Sequence, residues 1–124
     1  IFQIRAAALS DGTILVYHTY IVVNGRARLM HSISFLNTNE GYDKNLIGRA
    51  NRLLHWEDIK LFKEADLSVY DLGGIDLSEN NAETQSINKF KSCFGGILTT
   101  EYNVLDPKSL KGFLFLLLKR ITRR

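Results

Sequence analysis

Two glycine-rich turns carry the residues of this sequence that are best suited to chemistry. One is Tyr70-Asp71-Leu72-Gly73-Gly74-Ile75, and the other is Phe90-Lys91-Ser92-Cys93-Phe94-Gly95-Gly96. Glycine lets the backbone adopt a positive φ or approach another group closely. Each turn also carries one charged side chain, Asp71 or Lys91. The pattern indicates a cleft where backbone groups and charge converge, although two ordinary loop turns would have the same spacing.

Length and composition limit the class of protein. With 124 residues, of which 45% are apolar, the chain can bury a hydrophobic core without disulfides. The single cysteine, Cys93, excludes an internal disulfide and is typical of a reducing compartment such as the cytoplasm. Cysteine and histidine spacing does not predict a zinc site. Because the chain begins at Ile1 in strand-like sequence, we expect residues 1–124 to form one domain of a longer protein.

The positive charge is concentrated at the C-terminus. The net charge is +3, but four of the last six residues are basic, and the rest of the chain has 12 basic and 13 acidic residues. The chain before its last six residues therefore has no excess of positive charge, so it is a poor general surface for binding nucleic acid. The apolar run Phe113–Leu118 is too short to span a bilayer, which requires about 20 apolar residues. With the basic tail, this run either contacts an anionic membrane surface or forms a helix that packs on the sheet or on another domain.

Turn residues divide the first third of the chain into three strands. We predict strands at 2–9, 13–23 and 26–36, because each run is rich in apolar, aromatic or β-branched residues. Asp11-Gly12 and Asn24-Gly25 separate them, and both dipeptides are typical of tight hairpin turns. Three strands joined by two such turns form an antiparallel meander.

The rest of the chain is predicted to alternate helices and strands. After a loop at 37–45, we expect a helix at 46–65, a strand at 67–72, a loop at 75–83, a helix at 84–93, a strand at 97–105 and a helix at 108–122. The order βββ-α-β-α-β-α predicts a mixed α/β or α+β fold around one sheet.

The long predicted helix has apolar residues on two sides. One arc holds Ile47, Ala50, Leu53, Leu54, Leu61 and Ala65. Trp56 and Ile59 lie on the opposite side, which is typical of a helix between two layers, here the meander and a partner domain. Glu57 falls within the apolar arc, so we expect a buried anchor to a basic group or to the backbone, with a general base as the alternative.

Two histidines are expected in the core. His18 and His31 each alternate with apolar residues along a predicted strand, which favours a buried, hydrogen-bonded side chain over a catalytic one. Cys93 lies beside phenylalanines and is not predicted to be a nucleophile.

Four segments carry a more specific pattern. They are Ala27-Arg28-Leu29-Met30-His31-Ser32, Leu53-Leu54-His55-Trp56-Glu57-Asp58-Ile59-Lys60, Tyr70-Asp71-Leu72-Gly73-Gly74-Ile75 and Ile87-Asn88-Lys89-Phe90-Lys91-Ser92-Cys93-Phe94-Gly95-Gly96. With the order of elements, they resemble the GNAT acyltransferase fold and, more specifically, the C-terminal half of the FemABX family, over residues 26–105. Members of that family are aminoacyl-tRNA-dependent peptidyltransferases that build peptidoglycan cross-bridges. They usually have two GNAT-like halves, and this chain matches the second.

The resemblance implies a reaction and its partners. An aminoacyl group would move from aminoacyl-tRNA to an amine of a lipid- or nucleotide-linked peptidoglycan precursor, without a cofactor. The reaction would take place in the cytoplasm or at the inner face of the membrane, with an N-terminal GNAT-like half as a further partner.

The resemblance also implies site residues. Lys91 would stabilise the oxyanion that forms when the amine attacks the aminoacyl ester. Substrate would also contact Phe90, Gly95 and Gly96, the glycines through close approach of the backbone. Asp71 would orient Lys91, bind the acceptor amine or brace its turn.

Gly73 and Gly74 complete the predicted substrate-binding residues of the first turn.

Two alternatives to the main interpretation stay open. One is an acyl-CoA-dependent N-acetyltransferase acting on a small amine, although the acyl-CoA pyrophosphate loop is at best reduced to Gly48-Arg49-Ala50. The other is a non-catalytic GNAT-like half-domain that binds a partner.

Overall fold

Three antiparallel strands begin the chain, as the hairpin residues predict. They are β1 (Phe2–Ala8), β2 (Ile14–Val23) and β3 (Arg26–Ser34). Asn24 and Gly25 both have a positive φ, 50° and 73°, which is the backbone conformation of a type I′ turn. The predicted meander is therefore confirmed.

Three helices and a short fourth strand follow in the part of the chain that the structure describes. They are α1 (Lys44–Glu64), β4 (Val69–Asp71), α2 (Ala82–Ser92) and α3 (Leu110–Thr122). β4 pairs with β3 in parallel, so the sheet has the order β1-β2-β3-β4. α1 lies in the long crossover connection that parallel pairing requires. The fold is mixed α+β, as predicted.

The computed structural model describes residues 1–34, 43–75, 82–102, 104 and 106–122. Contacts between residues group the chain into two compact units, Ile1–Cys93 and Phe94–Arg124. Most of the predicted loops at 37–45 and 75–83 lies outside the described residues. Among the helices of the described part, none has both the length and the apolar character needed to cross a membrane.

α1 buries one stripe of side chains against the sheet. It begins at Lys44, and the carboxylate of the N-cap residue Asp43 accepts a hydrogen bond of 2.9 Å from the backbone N–H of Asn45. Its buried residues are Ile47, Leu54, His55, Asp58 and Phe62. The spacing within this set brings the side chains to one face of the helix.

The predicted apolar arc of α1 coincides only in part with its buried face, to which Ile47 and Leu54 of the arc belong. Four residues of that arc are exposed, namely Leu53, Glu57, Leu61 and Ala65. A helical wheel that counts only apolar residues misplaces the buried face, because that face also includes polar His55 and Asp58.

Two apolar clusters fill the space between α1 and the sheet. One consists of Leu15, Val16, Ile47 and Leu54, and the other of Tyr20, Ala27 and Phe62. His18 lies between the two clusters on β2, and His55 and Asp58 lie between them on α1. The core of the first unit is therefore apolar at two ends with buried polar groups in between.

His31 is exposed, so its predicted place in the core is wrong. The cause is a break in register next to Met30: Tyr20 pairs with Leu29, but Thr19 pairs with His31. An extra residue of this kind reverses the alternation of a strand, and it places His31 on the face away from α1. His18 is fully buried, as predicted.

The predicted last strand at 97–105 is also wrong over its described residues, 97–102 and 104. These residues have alternating side chains but no strand conformation, and Ile97 and Tyr102 are almost fully exposed. Alternation alone does not make a strand, because a strand also needs a neighbour that satisfies its backbone N–H and C=O groups.

Two neighbouring leucines of α1 test the position of its buried stripe. Leu54→Ala should lower the free energy of unfolding by about 2–5 kcal/mol, because the Leu54 side chain is 5% exposed and packs in the core. Leu53→Ala removes the same atoms from a side chain that is 59% exposed, so a change of about 0.5 kcal/mol or less is expected. Urea unfolding followed by circular dichroism measures both values, and equal losses would contradict the stripe.

Candidate functional site

An open cleft of about 800 Å³ lies in the first unit. Its walls come from β3, α1, the turn after β4, and α2. Among its lining residues are Ser32, Asn51, His55, Gly73, Gly74, Phe90 and Lys91. Four predicted site residues, the two glycines with Phe90 and Lys91, are thus brought together from segments that are 16 or more positions apart in the sequence.

Lys91 contacts the first glycine turn directly. Its Nζ donates a hydrogen bond of 2.6 Å to the carbonyl oxygen of Gly74. Burial lowers the pKa of Lys91, while the negative charge of Asp71 acts in the opposite direction. A partly desolvated ammonium beside an open cleft is a strong hydrogen-bond donor for a developing oxyanion.

Asp71 ties the glycine turn to the sheet rather than lining the cleft. Its Oδ1 accepts a hydrogen bond of 2.8 Å from the backbone N–H of Gly73, and its Oδ2 accepts two from Arg26, at 2.6 and 3.1 Å. Gly73 has a φ of 77°, which favours glycine, and a Cβ at this position would lie 3.6 Å from the carbonyl oxygen of Leu29. The side chain of Asp71 therefore holds the turn in the position where Lys91 meets it.

Phe90 forms an aromatic part of the wall. Its ring centroid lies 5.5 Å from that of His55, and the guanidinium carbon of Arg52 lies 5.8 Å from the Phe90 centroid. That distance is within the range of a cation–π contact. The ring is a flat apolar surface against which part of a substrate can pack.

Besides Asp71, three other predicted site residues are not among the residues that line this cleft. Gly95 and Gly96 belong to the second unit, so their contact with substrate stays a prediction, although Gly95 has the expected positive φ of 73°. The prediction that Glu57 is buried is wrong. Its side chain is 47% exposed, and its Oε1 lies 2.6 Å from Nζ of Lys60, one helical turn away. An exposed pair of this kind contributes about 1 kcal/mol or less, so Glu57 is neither a buried anchor nor a base of the cleft.

A chain of buried hydrogen bonds leads from the cleft into the core. Nδ1 of His55 lies 2.7 Å from the Tyr70 hydroxyl, which lies 2.8 Å from the Tyr20 hydroxyl. The Tyr20 hydroxyl donates a hydrogen bond of 2.7 Å to Oδ2 of Asp58. His55 lines the cleft, whereas Asp58 is completely buried, so the chain connects a cleft side chain to a buried carboxylate.

Asp58 is surrounded by donors. Besides Tyr20, its carboxylate contacts Nε of Arg5 at 2.9 Å and Nδ1 of His18 at 3.0 Å. The other ring nitrogen of His18 lies 2.8 Å from Oδ1 of Asn51, which lines the cleft. No buried side-chain nitrogen or oxygen in the described residues lacks a hydrogen-bond partner.

These surroundings change the pKa values of the buried groups. Burial acts to raise the pKa of Asp58, but hydrogen bonds from His18, Tyr20 and Arg5 outweigh it and lower the pKa overall. Burial raises the pKa of both tyrosines. For His55, burial and then the charge of His18 lower the pKa, Asp58 acts in the opposite direction and Lys91 adds a smaller decrease, so that the pKa of His55 is about 4. At neutral pH the cleft therefore contains a neutral imidazole and an ammonium.

Sequence reasoning missed this network, although the sequence contains a signal for it. His18 and Tyr20 are two residues apart on a strand, so they share a face. His55 and Asp58 are three apart on a helix, so they also share a face. Two polar pairs that each lie between apolar residues indicate a buried polar contact between the strand and the helix.

Comparison with known proteins does not assign this cleft to a family. Searches against family models, curated proteins and solved structures found no match to the chain. Within the described residues, histidine, cysteine, aspartate and glutamate side chains do not form a group of three that could hold a metal ion.

The low pKa of His55 predicts a pH-dependent stability. The unfolded chain binds a proton at His55 near pH 6.5, whereas the folded chain does so only near pH 4, so stability is lost as the pH falls through this window. Between pH 7 and pH 5, His55 should lower the free energy of unfolding by about 2 kcal/mol.

Urea unfolding of wild type and His55→Asn at both pH values measures this contribution. His55→Asn should lose most of the difference, whereas His31→Asn, at an exposed histidine on the other face of the sheet, should keep it. The same pH dependence in wild type and His55→Asn would contradict the assignment.

Proposed function

We propose that the protein is an acyltransferase of GNAT-like fold, related to the C-terminal half of the FemABX family. It moves an aminoacyl group from aminoacyl-tRNA to an amine of a peptidoglycan precursor. The observation that carries this proposal is the meeting of Lys91 with Gly73 and Gly74 at one open cleft, because the resemblance implies that these residues share one site.

Lys91 supplies the charge that acyl transfer needs. Attack of an amine on an ester carbonyl creates an oxyanion, and a fixed cationic donor lowers the barrier to its formation. The Lys91 ammonium already donates to a carbonyl oxygen, that of Gly74, at 2.6 Å. A substrate oxygen that binds in the cleft takes a second hydrogen bond from the same ammonium, which has three donors.

The charge of the cleft fits anionic substrates. Among the described residues that line it, Arg28 and Lys91 are cationic and there is no carboxylate. Aminoacyl-tRNA and lipid- or nucleotide-linked precursors all carry phosphates, which arginine and lysine bind by charge-assisted hydrogen bonds. Binding of both substrates in one cleft contributes to the rate chiefly by holding amine and ester together.

Exposed apolar surface supports a second, N-terminal half as a partner. The sheet face away from α1 exposes Phe2, Ile4, Ile21 and Ile33, and α1 exposes Trp56. Large exposed apolar patches are typical of surfaces that another domain covers. A FemABX-like protein supplies such a domain, which also completes the substrate site.

A cytoplasmic location at the inner face of the membrane follows from the proposed substrates. α3 exposes large apolar side chains, including Phe113, Phe115 and Leu118, and it is followed by basic residues of the tail. Apolar and basic side chains together favour contact with an anionic membrane surface, where a lipid-linked precursor is found.

Substitution of Lys91 tests the proposed oxyanion stabilisation. In the complete protein, Lys91→Met should lower turnover with aminoacyl-tRNA by at least about 100-fold while the fold persists. Lys89→Met is the matched control, because Lys89 lies on the same helix but is exposed, and it should keep near-normal turnover.

Transfer of a radiolabelled aminoacyl group to the precursor measures both rates. Near-normal turnover of Lys91→Met would remove Lys91 from the mechanism. Stoichiometric binding of acyl-CoA in calorimetry, without aminoacyl transfer, would instead favour the acyl-CoA-dependent reaction.

A further inference from the structure

Asn51 is a polar residue of α1 that lies between the buried core and the cleft. It follows Ile47 by four residues and precedes Leu54 by three, so it belongs to the stripe of α1 that faces the sheet. It is half-buried, and it lines the cleft together with Ser32 of β3. Because the Asn51 side chain lies between the helix and the sheet, the part of it that solvent reaches opens into the cleft.

Two hydrogen bonds hold the oxygen of the Asn51 amide. Oδ1 lies 2.8 Å from Nε2 of His18, and the Ser32 hydroxyl donates to it at 3.3 Å. Nδ1 of His18 lies 3.0 Å from a carboxylate oxygen of Asp58, so both ring nitrogens of His18 face oxygen acceptors. His18 therefore carries a proton on each nitrogen and forms a buried ion pair with Asp58. Its second proton and the Ser32 hydroxyl fix Oδ1 of Asn51 in place.

The nitrogen of the same amide has no hydrogen-bond partner among the described residues. Both hydrogen bonds of the Asn51 side chain use Oδ1, and neither uses Nδ2. In this part of the chain every buried side-chain nitrogen has a partner, so Nδ2 of Asn51 is not buried. An amide whose oxygen is fixed presents its N–H groups to a ligand in the cleft without first having to be ordered.

We propose that Asn51 is a substrate-binding residue of this cleft and that its Nδ2–H groups donate to a carbonyl oxygen of the substrate. The inference rests on the proposed function and adds a binding residue to it. Both proposed substrates carry such an oxygen, in the ester of aminoacyl-tRNA and in the peptide of the precursor. An amide N–H cannot accept a hydrogen bond from the attacking amine, so Asn51 orients a carbonyl group and leaves the amine free to react.

Asn51 on α1 and Lys91 on α2 contribute different kinds of donor to the cleft. The Lys91 ammonium is charged, so its interaction strengthens as negative charge develops on the substrate oxygen. The Asn51 amide is neutral, so it binds the carbonyl oxygen about equally well before and during the reaction. Binding of this uniform kind changes KM and leaves kcat nearly unchanged, which distinguishes Asn51 from Lys91.

Asn51→Asp in the complete protein removes the donor and keeps the acceptor. Its carboxylate still accepts from His18 and Ser32, so the unfolding temperature should be no lower than that of wild type. KM should rise about 10- to 100-fold for the substrate whose carbonyl oxygen Asn51 binds, with kcat nearly unchanged. Asn45→Asp is the matched control, because Asn45 is an exposed residue of the same helix outside the cleft lining, and it should keep wild-type KM values.

The two KM values identify the oxygen that Asn51 binds. A rise for aminoacyl-tRNA alone assigns the ester carbonyl, and a rise for the precursor alone assigns a carbonyl of its peptide. Wild-type KM values for both substrates in a folded Asn51→Asp would overturn the inference.

Nitrogen-15 NMR of the complete wild-type protein tests the inference without any turnover. We expect the ring signals of a His18 that is protonated on both nitrogens. On addition of N-acetyl-alanyl-alanine amide, an uncharged peptide rich in carbonyl oxygen, the side-chain amide signals of Asn51 should shift while those of Asn45 stay in place.

A neutral His18 ring would overturn the inference, because Asn51 would then have to turn its nitrogen towards His18 and its oxygen towards the cleft. Asn51 signals that do not move with the peptide would also overturn it. A shift at Asn51 in a protein that transfers no aminoacyl group would overturn the proposed function but keep Asn51 as a residue that binds carbonyl oxygen.

Discussion

The buried carboxylate of Asp58 is the group on which the rest of the first unit depends. It is completely buried, and hydrogen bonds of 2.7 to 3.0 Å join it to Arg5 on β1 and to His18 and Tyr20 on β2. Its charge can remain in the core only because these donors replace water. One carboxylate on α1 therefore fixes the helix against two strands, in a register that apolar packing alone would specify less strictly.

The same contacts position the cleft. Through Tyr20, the network reaches Tyr70, which lies in β4 immediately before Asp71 and the glycine turn. The Asp71 carboxylate accepts a hydrogen bond from the backbone N–H of Gly73, and the carbonyl oxygen of Gly74 accepts one from the Lys91 ammonium. The Lys91 ammonium and the His55 imidazole are thus each held by a hydrogen bond to the same short stretch of chain, at Gly74 and at Tyr70. This arrangement explains why a three-residue strand suffices to place the turn.

The sequence predicts the meander and the first glycine turn well, because short-range signals determine both. Asn24-Gly25 favours one turn type, and Gly73 has the positive φ that its position requires. The site beyond this turn depends on long-range contacts that no local pattern specifies. His31 was misplaced because an extra residue in β3 reverses the alternation, and His55 was overlooked because a buried polar network on an otherwise apolar face is not part of the apolar pattern. The strand predicted at 97–105 failed for the related reason that pairing depends on a neighbour elsewhere in the protein.

The most direct measurement is mass spectrometry of the product that the complete protein forms from aminoacyl-tRNA and a peptidoglycan precursor with a free amine. If the cleft performs acyl transfer as proposed, the precursor gains the mass of one aminoacyl group in an amide bond that survives mild base, while the tRNA is released. An unchanged precursor after complete hydrolysis of the ester, or a precursor modified only when acyl-CoA is supplied, would contradict it.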